Sequence, residues 1–170
     1  MSVWQKRLGH DYQSLRQLLR QYPQTLTLIH SHDSPPHYYV LEFHCRGIEK
    51  LADDGLTPIF RDRHKLTISL SETYPRTKPY VKFTEPLFHP NVFTNGYVCL
   101  GDYWNMGESL AQLVIRLSKI IQYDPEVLGL VSPAHAEAKK WAEQNLDLFP
   151  LDRVMLQDKE SIPLDLIWQE

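Results

Sequence analysis

Residues 85–107 read EPLFHPNVFTNGYVCLGDYWNMG, and neither the two-residue period of a strand nor the 3.6-residue period of a helix survives in them. Pro86, Pro90, Asn91, Asn95-Gly96, Gly101 and Gly107 supply turn chemistry throughout. An irregular run of this length is unusual inside a small domain, and such loops are often functional. It also divides the chain. The part before it is mostly strand-like, and the part after it is helical.

Upstream, Trp4, Leu8, Tyr12, Leu15, Leu19 and Tyr22 recur every three or four residues, which predicts an amphipathic helix. Pro23 stops it. Leu26 and Leu28 then alternate with threonines. Tyr39, Leu41, Phe43 and Cys45 alternate with Tyr38, Val40, Glu42 and His44, Leu66, Ile68 and Leu70 with Lys65, Thr67 and Ser69, and Val81 and Phe83 share a face. Four period-two runs with short connections predict an antiparallel meander buried on one face. Downstream, Leu110, Leu113, Val114, Leu117, Ile120 and Ile121 form an apolar stripe over residues 109–123, ending before Pro125. Ser132-Pro133 reads as an N-cap with proline at the first helical position, opening a last helix that carries Ala134, Ala138, Trp141 and Ala142. The fold class is therefore α+β: an N-terminal helix, a four-stranded antiparallel meander, a long loop and two C-terminal helices.

The length of 170 residues predicts one domain, expected over residues 1–150, with 151–170 a tail of uncertain order. Eighteen Lys and Arg against 21 Asp and Glu give a charge of −3, which argues against a nucleic-acid binder. The start, MSVWQKRLGHDY, has no apolar signal core, and no window approaches 18 apolar residues. A soluble cytoplasmic protein with no membrane partner is expected. Two cysteines, Cys45 and Cys99, are too few for a disulfide scaffold and make no CxxC pair.

Cys45 falls on the inward phase of a strand and reads as structural. Cys99, between Val98 and Leu100, is by type a buried filler. Yet it sits in the long loop, with Gly96 and Gly101 on either side allowing close approach of a bulky partner. As a nucleophile it needs either a base or a reaction that requires none. His89 is the nearby histidine, and spacing alone does not pair it with Cys99. Asp102 and Asp124 are acids able to orient an incoming amine, or solvated loop carboxylates. Thioester exchange needs no strong base, because a free thiol is already a few per cent thiolate near neutrality. His30, His32, Asp33, His37 and His44 form no recognisable ligand set, so no metal is expected. With neither GxxxxGK[ST] nor GxGxxG present, no nucleotide cofactor is expected either.

Four motifs in order carry a resemblance. Tyr74-Pro75-Arg76-Thr77-Lys78-Pro79-Tyr80-Val81-Lys82-Phe83, then His89-Pro90-Asn91, then Asn95-Gly96-Tyr97-Val98-Cys99-Leu100, then Trp104 resemble the YPxxPPxVxF strand, HPN turn, NGxICL segment and tryptophan of ubiquitin-conjugating enzymes. The likeness covers roughly residues 3–147 and agrees with the order of elements above. It implies a transferase that accepts a ubiquitin-like modifier from an activating enzyme, where ATP is spent, as a thioester on Cys99. The modifier then passes to a lysine of a target protein. It further implies that Asn91 supports the loop and stabilises the oxyanion, that His89 and Pro90 shape the turn, that Trp104 packs beside the site, and that Asp124 lies where the family places a gating polar residue. The face of the first helix bearing Lys6, Arg7, Arg16 and Arg20 would meet the activating enzyme.

Several departures qualify the likeness. Lys78 replaces one of two usual prolines, Arg76 stands where an aromatic residue is common, and Asn105-Met106 comes after Trp104. These argue against a conventional ligase partner. Gly101 stands after Leu100 in place of an aspartate, and Cys99 to Trp104 is shorter than usual. With Pro35-Pro36-x-Tyr38 and Phe149-Pro150-Leu151-Asp152, these features resemble bacterial members of conjugation operons linked to phage defence. The alternative is a non-catalytic adaptor of the same fold that binds a ubiquitin-like protein. A cysteine hydrolase is a third reading, and it would need a histidine base aimed at Cys99.

Overall fold

The computed structural model of the chain describes residues 1–101, 104–128, 133–150 and 156–157. Helix α1 (Val3–Gln21) opens on a capping box in which the Ser2 hydroxyl accepts the Gln5 N–H at 3.1 Å and the Gln5 side chain accepts the Ser2 N–H at 2.9 Å. Its buried stripe is Leu8, Asp11, Leu15 and Leu18, and it ends at Tyr22, before Pro23. Next come six strands: β1 (Leu26–His32), β2 (Tyr38–Phe43), β3 (Gly47–Leu51), β4 (Pro58–Arg61), β5 (His64–Ser69) and β6 (Tyr80–Phe83). Helix α2 (Leu110–Ile121), helix α3 (Ala136–Gln144) and a 3-10 turn at Leu146–Leu148 follow among the described residues.

The four strands expected from alternation form the main antiparallel sheet, in the order β1-β2-β5-β6. Leu41 stands opposite both Leu28 and Leu66, and Ile68 opposite Val81, so the apolar phase of each strand meets that of its neighbour. Tyr39, Leu41, Phe43, Leu66, Ile68, Val81 and Phe83 are all buried in one core with the apolar faces of α1 and α2. The expected meander is interrupted by a hairpin of β3 and β4. Strands of five and four residues, with a register shift between Ile48 and Lys50, are too short for alternation to reveal. Ile48 is the fully buried apolar side chain there, in a second cluster with Phe88, Tyr123, Ala138, Trp141 and Ala142.

Asp11 ties the two main helices together. Its buried carboxylate accepts from Arg7 Nε at 2.8 Å, from the Tyr74 hydroxyl at 2.6 Å and from the Leu110 N–H at the start of α2 at 3.0 Å. A buried carboxylate at a helix N-terminus is favoured when it is met by such donors. The last helix begins later than expected. Pro133 precedes it, Ser132 lies outside the described residues, and His135 is the cap, its ring accepting the Ala138 N–H at 3.2 Å. The cause is a competing partner: the Ala134 and His135 N–H groups donate to the Pro90 carbonyl at 2.9 and 3.2 Å, which holds the chain to the loop before it can turn helical.

Burial does not stop at residue 150. Leu156 is 2% exposed and belongs to the main core, and the Gln157 N–H donates to the Tyr22 hydroxyl at 3.0 Å. Residues 151–155 and 158–170 of the expected tail lie outside the described residues. Among the described residues, no helix is long and apolar enough to cross a membrane. Leu156→Ala is expected to lower unfolding stability by about 2–5 kcal/mol, read as a shift in urea midpoint. Unchanged stability would mean that the core closes without this side chain.

Candidate active site

The loop that reads as irregular folds onto the edge of β6. The Phe93 N–H donates to the Tyr97 carbonyl and the Cys99 N–H to the Asn91 carbonyl, both at 2.8 Å, around a turn at Asn95-Gly96. On the other side, the Phe83 N–H donates to the Gly96 carbonyl and the Val98 N–H to the Val81 carbonyl, both at 2.9 Å. Gly96 sits at φ +93°, and a Cβ there would stand 2.5 Å from the Phe83 carbonyl oxygen, so glycine is required for the hairpin to reach the strand. Cys99 is thus presented half-buried at the end of a ladder. Cys45, by contrast, is 1% exposed in the core, as its strand phase predicts.

The turn before this hairpin is fixed through its backbone. His89 is fully buried, and its Nδ1 accepts the Asn91 N–H at 2.9 Å. That bond leaves the ring proton on Nε2, which finds no nitrogen or oxygen partner among the described residues. The ring packs T-shaped on Tyr123, 4.5 Å between centroids. Burial pushes its pKa down to about 3. A neutral imidazole whose acceptor nitrogen is already used cannot take the Cys99 proton, so the cysteine-hydrolase reading loses its base.

Asn91 is buried, with Nδ2 donating to the Val127 carbonyl at 3.2 Å. Val127 closes the turn that Asp124 opens: the Val127 N–H donates to the Asp124 carbonyl, and the Asp124 carboxylate accepts the Glu126 N–H at 2.9 Å. The expected site residues Asn91, His89, Pro90, Cys99 and Asp124 therefore share one bonded network. Asp102 lies outside the described residues. Trp104 donates Nε1 to the Pro75 carbonyl at 2.7 Å and leans on Tyr74, which returns the chain to the sheet after Cys99. Gly101, at φ +105°, gives a physical account of one departure, because an aspartate would be strained at that torsion.

On α1, Lys6, Arg16 and Arg20 are exposed. Arg7 is not part of that face. It turns inward to Asp11 and Tyr74 and to the carbonyls of Met106 and Glu108. His32 and His37 flank the Asp33 carboxylate at 3.5 and 3.0 Å, and no group of three or more His, Cys, Asp or Glu side chains among the described residues is placed to hold a metal. Residues with no local signature also reach the site. Tyr123, at φ +60°, donates its hydroxyl to the Phe88 carbonyl. Arg116 donates to the Leu100 carbonyl at 2.7 Å, one residue past the thiol.

Comparison with known proteins shows the family and the fold. The family model described as ubiquitin-conjugating enzyme matches residues 56–150, more than half of the chain. Ubiquitin-conjugating enzyme E2 2 of Mycosarcoma maydis is 33% identical over 93 residues, covering 53% of this chain and 48% of that protein. Ubiquitin-conjugating enzyme E2 3 of Arabidopsis thaliana is 33% identical over 91 residues, 52% of this chain and 59% of that one. The matched region thus spans about half the length of these curated relatives. A solved structure from Trypanosoma cruzi, described as a ubiquitin conjugating enzyme, superimposes with a TM-score of 0.58 at 18% identity, over 82% of this chain and 89% of that one. At that identity the likeness shows the fold.

The buried histidines set a pH dependence. Burial lowers the pKa of both His89 and His64 below the usual 6.5. Below pH 6.5 the unfolded chain takes up protons that the folded chain refuses, so stability is complete above that pH and falls as the medium is acidified towards the folded values. Each group contributes up to about 1.4 kcal/mol per pH unit. Urea unfolding between pH 7 and 4.5 should show this loss, with a shallower slope in His89→Gln. Equal slopes in the two proteins would show that His89 titrates as a solvated imidazole does.

Proposed function

Since the chain belongs to the ubiquitin-conjugating enzyme family, we propose that it is a transferase carrying an activated ubiquitin-like modifier as a thioester on Cys99. The observation that carries this reading is a partly exposed Cys99, pinned at the end of a hairpin by the Asn91 carbonyl, while the His89 ring nitrogen is engaged by the Asn91 N–H. Such a site suits a reaction that conserves bond type and asks for no strong base. The Cys99 thiolate attacks the thioester carbonyl of a modifier held on an activating enzyme. A new C–S bond forms and the donor's sulfur leaves as thiolate. ATP is consumed upstream on the activating enzyme, and no cofactor is needed here. A lysine amine of the target protein then attacks the Cys99 thioester. The tetrahedral intermediate collapses to an amide, Cys99 leaves as thiolate, and the amine's proton goes to solvent.

Asn91 is assigned to the oxyanion of that intermediate and to the loop that flanks it, and His89 and Pro90 to the turn. Trp104 is assigned to the wall beside the site, and Asp124, together with Asp102, to guiding the amine. Lys6, Arg16 and Arg20 are the part of the α1 face left to receive an activating enzyme. Exposed Arg76 and Lys78 lack the aromatic and proline chemistry of the usual ligase contact, and exposed Asn105-Met106 lacks its proline, which supports transfer without a conventional ligase. The Cys99-Leu100-Gly101 segment, the Pro35-Pro36-x-Tyr38 turn and Phe149-Pro150-Leu151-Asp152 support placing the protein in a bacterial conjugation system of phage defence, acting in the cytoplasm.

The deciding experiment compares tagged wild type with Cys99→Ser recovered from the native host, on reducing and non-reducing gels with adducts mapped by mass spectrometry. Wild type should carry a thiol-sensitive protein adduct on Cys99, and the variant a thiol-resistant ester. No adduct in either, with partner proteins still co-purifying, would transfer the assignment to the adaptor. Asn91→Ala is expected to charge normally and to discharge to amines about a hundredfold more slowly, the cost of one oxyanion donor. Charging and discharge that fall equally would leave Asn91 a scaffold residue alone.

A further inference from the structure

Arg116 lies on α2 and bears none of the motifs above, yet it holds the segment that carries the thiol. Its Nε and Nη2 donate to the two carboxylate oxygens of Glu108 at 3.0 and 2.7 Å, and the remaining Nη1 donates to the Leu100 carbonyl at 2.7 Å. The fork to Glu108 fixes the plane of the guanidinium, so the third bond has a set direction. Glu108 is itself held, because its carbonyl accepts Arg7 Nη2 at 2.6 Å and Arg7 is locked to Asp11 and Tyr74. A rigid path therefore runs from α1 through Arg7, Glu108 and Arg116 to the carbonyl next to Cys99.

The torsions around that carbonyl need such a restraint. The Cys99 N–H is fixed by the Asn91 carbonyl, and the Leu100 side chain is buried. Gly101, at φ +105°, has no Cβ to limit how the Leu100–Gly101 peptide rotates. A half-exposed Arg–Glu pair with no further contact would add little to stability. A charge-assisted bond from that pair to the peptide beside the nucleophile selects one orientation.

We infer that Arg116, oriented by Glu108, is a positioning residue for acyl transfer through Cys99, which it serves by fixing the Leu100 carbonyl. The inference rests on Cys99 being an acyl carrier. It is tested on the whole 170-residue chain without a natural partner: a glycyl peptide alkyl thioester serves as donor and free lysine as acceptor, with Cys99 acylation and its discharge followed by mass.

Arg116→Met keeps the apolar stem and removes every donor, and it should transfer about tenfold more slowly with its fold retained. Arg116→Lys, which can still donate to the Leu100 carbonyl, should recover most of that loss. A packing role would be met equally by the two variants, so transfer at wild-type rate in both, or the same deficit in both, overturns the inference. Should Arg116→Met fail to fold, Glu108→Gln is read instead. It preserves shape while weakening the fork: transfer at least threefold below wild type supports the inference, and wild-type transfer overturns it. If wild type takes no acyl group although iodoacetamide alkylates Cys99, the carrier reading itself fails and this inference falls with it.

Discussion

Residues Phe88 to Val92 belong to no helix or strand, yet they are buried, and their backbone groups need partners found elsewhere. The rest of the site is arranged around how those partners are supplied. The Phe88 N–H donates to the Ile48 carbonyl in β3, and the Phe88 carbonyl accepts from Tyr123 at the exit of α2. The Pro90 carbonyl takes two N–H groups from the lead-in to α3, and the Asn91 carbonyl takes that of Cys99. One buried turn thus gathers the hairpin, α2, α3 and Cys99. It explains why the second apolar cluster, around Tyr123 and Trp141, exists beside the main core.

Tyr123 shows what that gathering costs. A tyrosine at φ +60° is strained by roughly 1–3 kcal/mol, and its fully buried ring offsets the strain by packing on His89, Trp141 and Phe149. The same packing desolvates His89. The neutrality that removes a base from the site comes from how the turn is built, and the chemistry open to Cys99 is narrowed by core packing as much as by the residues that touch it.

The elements whose physics is periodic were legible from the chain alone. The stripe of α1, the alternation of β1, β2, β5 and β6, and the stripe of α2 each repeat long enough to be read, and the HPN and Cys99 motifs marked residues that the fold bonds to one another. Other features were not legible, most of them because their causes are distant in sequence. Arg7 reads as one more cation on a solvated face, and only the arrival of Tyr74, Met106 and Glu108 turns it inward. Ser132-Pro133 has good capping chemistry, but the Pro90 carbonyl competes for the amides just beyond it. Residues 85–101 carry turn signals and no alternation, since the 92–99 hairpin lies on β6 through main-chain bonds that leave no pattern in side chains. Leu156 escaped for a similar reason, a single anchor in a stretch with no period.

Because the group that holds the Cys99 amide is the carbonyl of residue 91, it is present whatever side chain that residue bears. Codon-level substitution at 91 therefore reports on the amide side chain alone and leaves the tether unmeasured. The two contributions of Asn91 separate only by chemical synthesis, with an ester replacing the Cys99 amide. A lineage that lost the asparagine would still inherit the placement of its thiol.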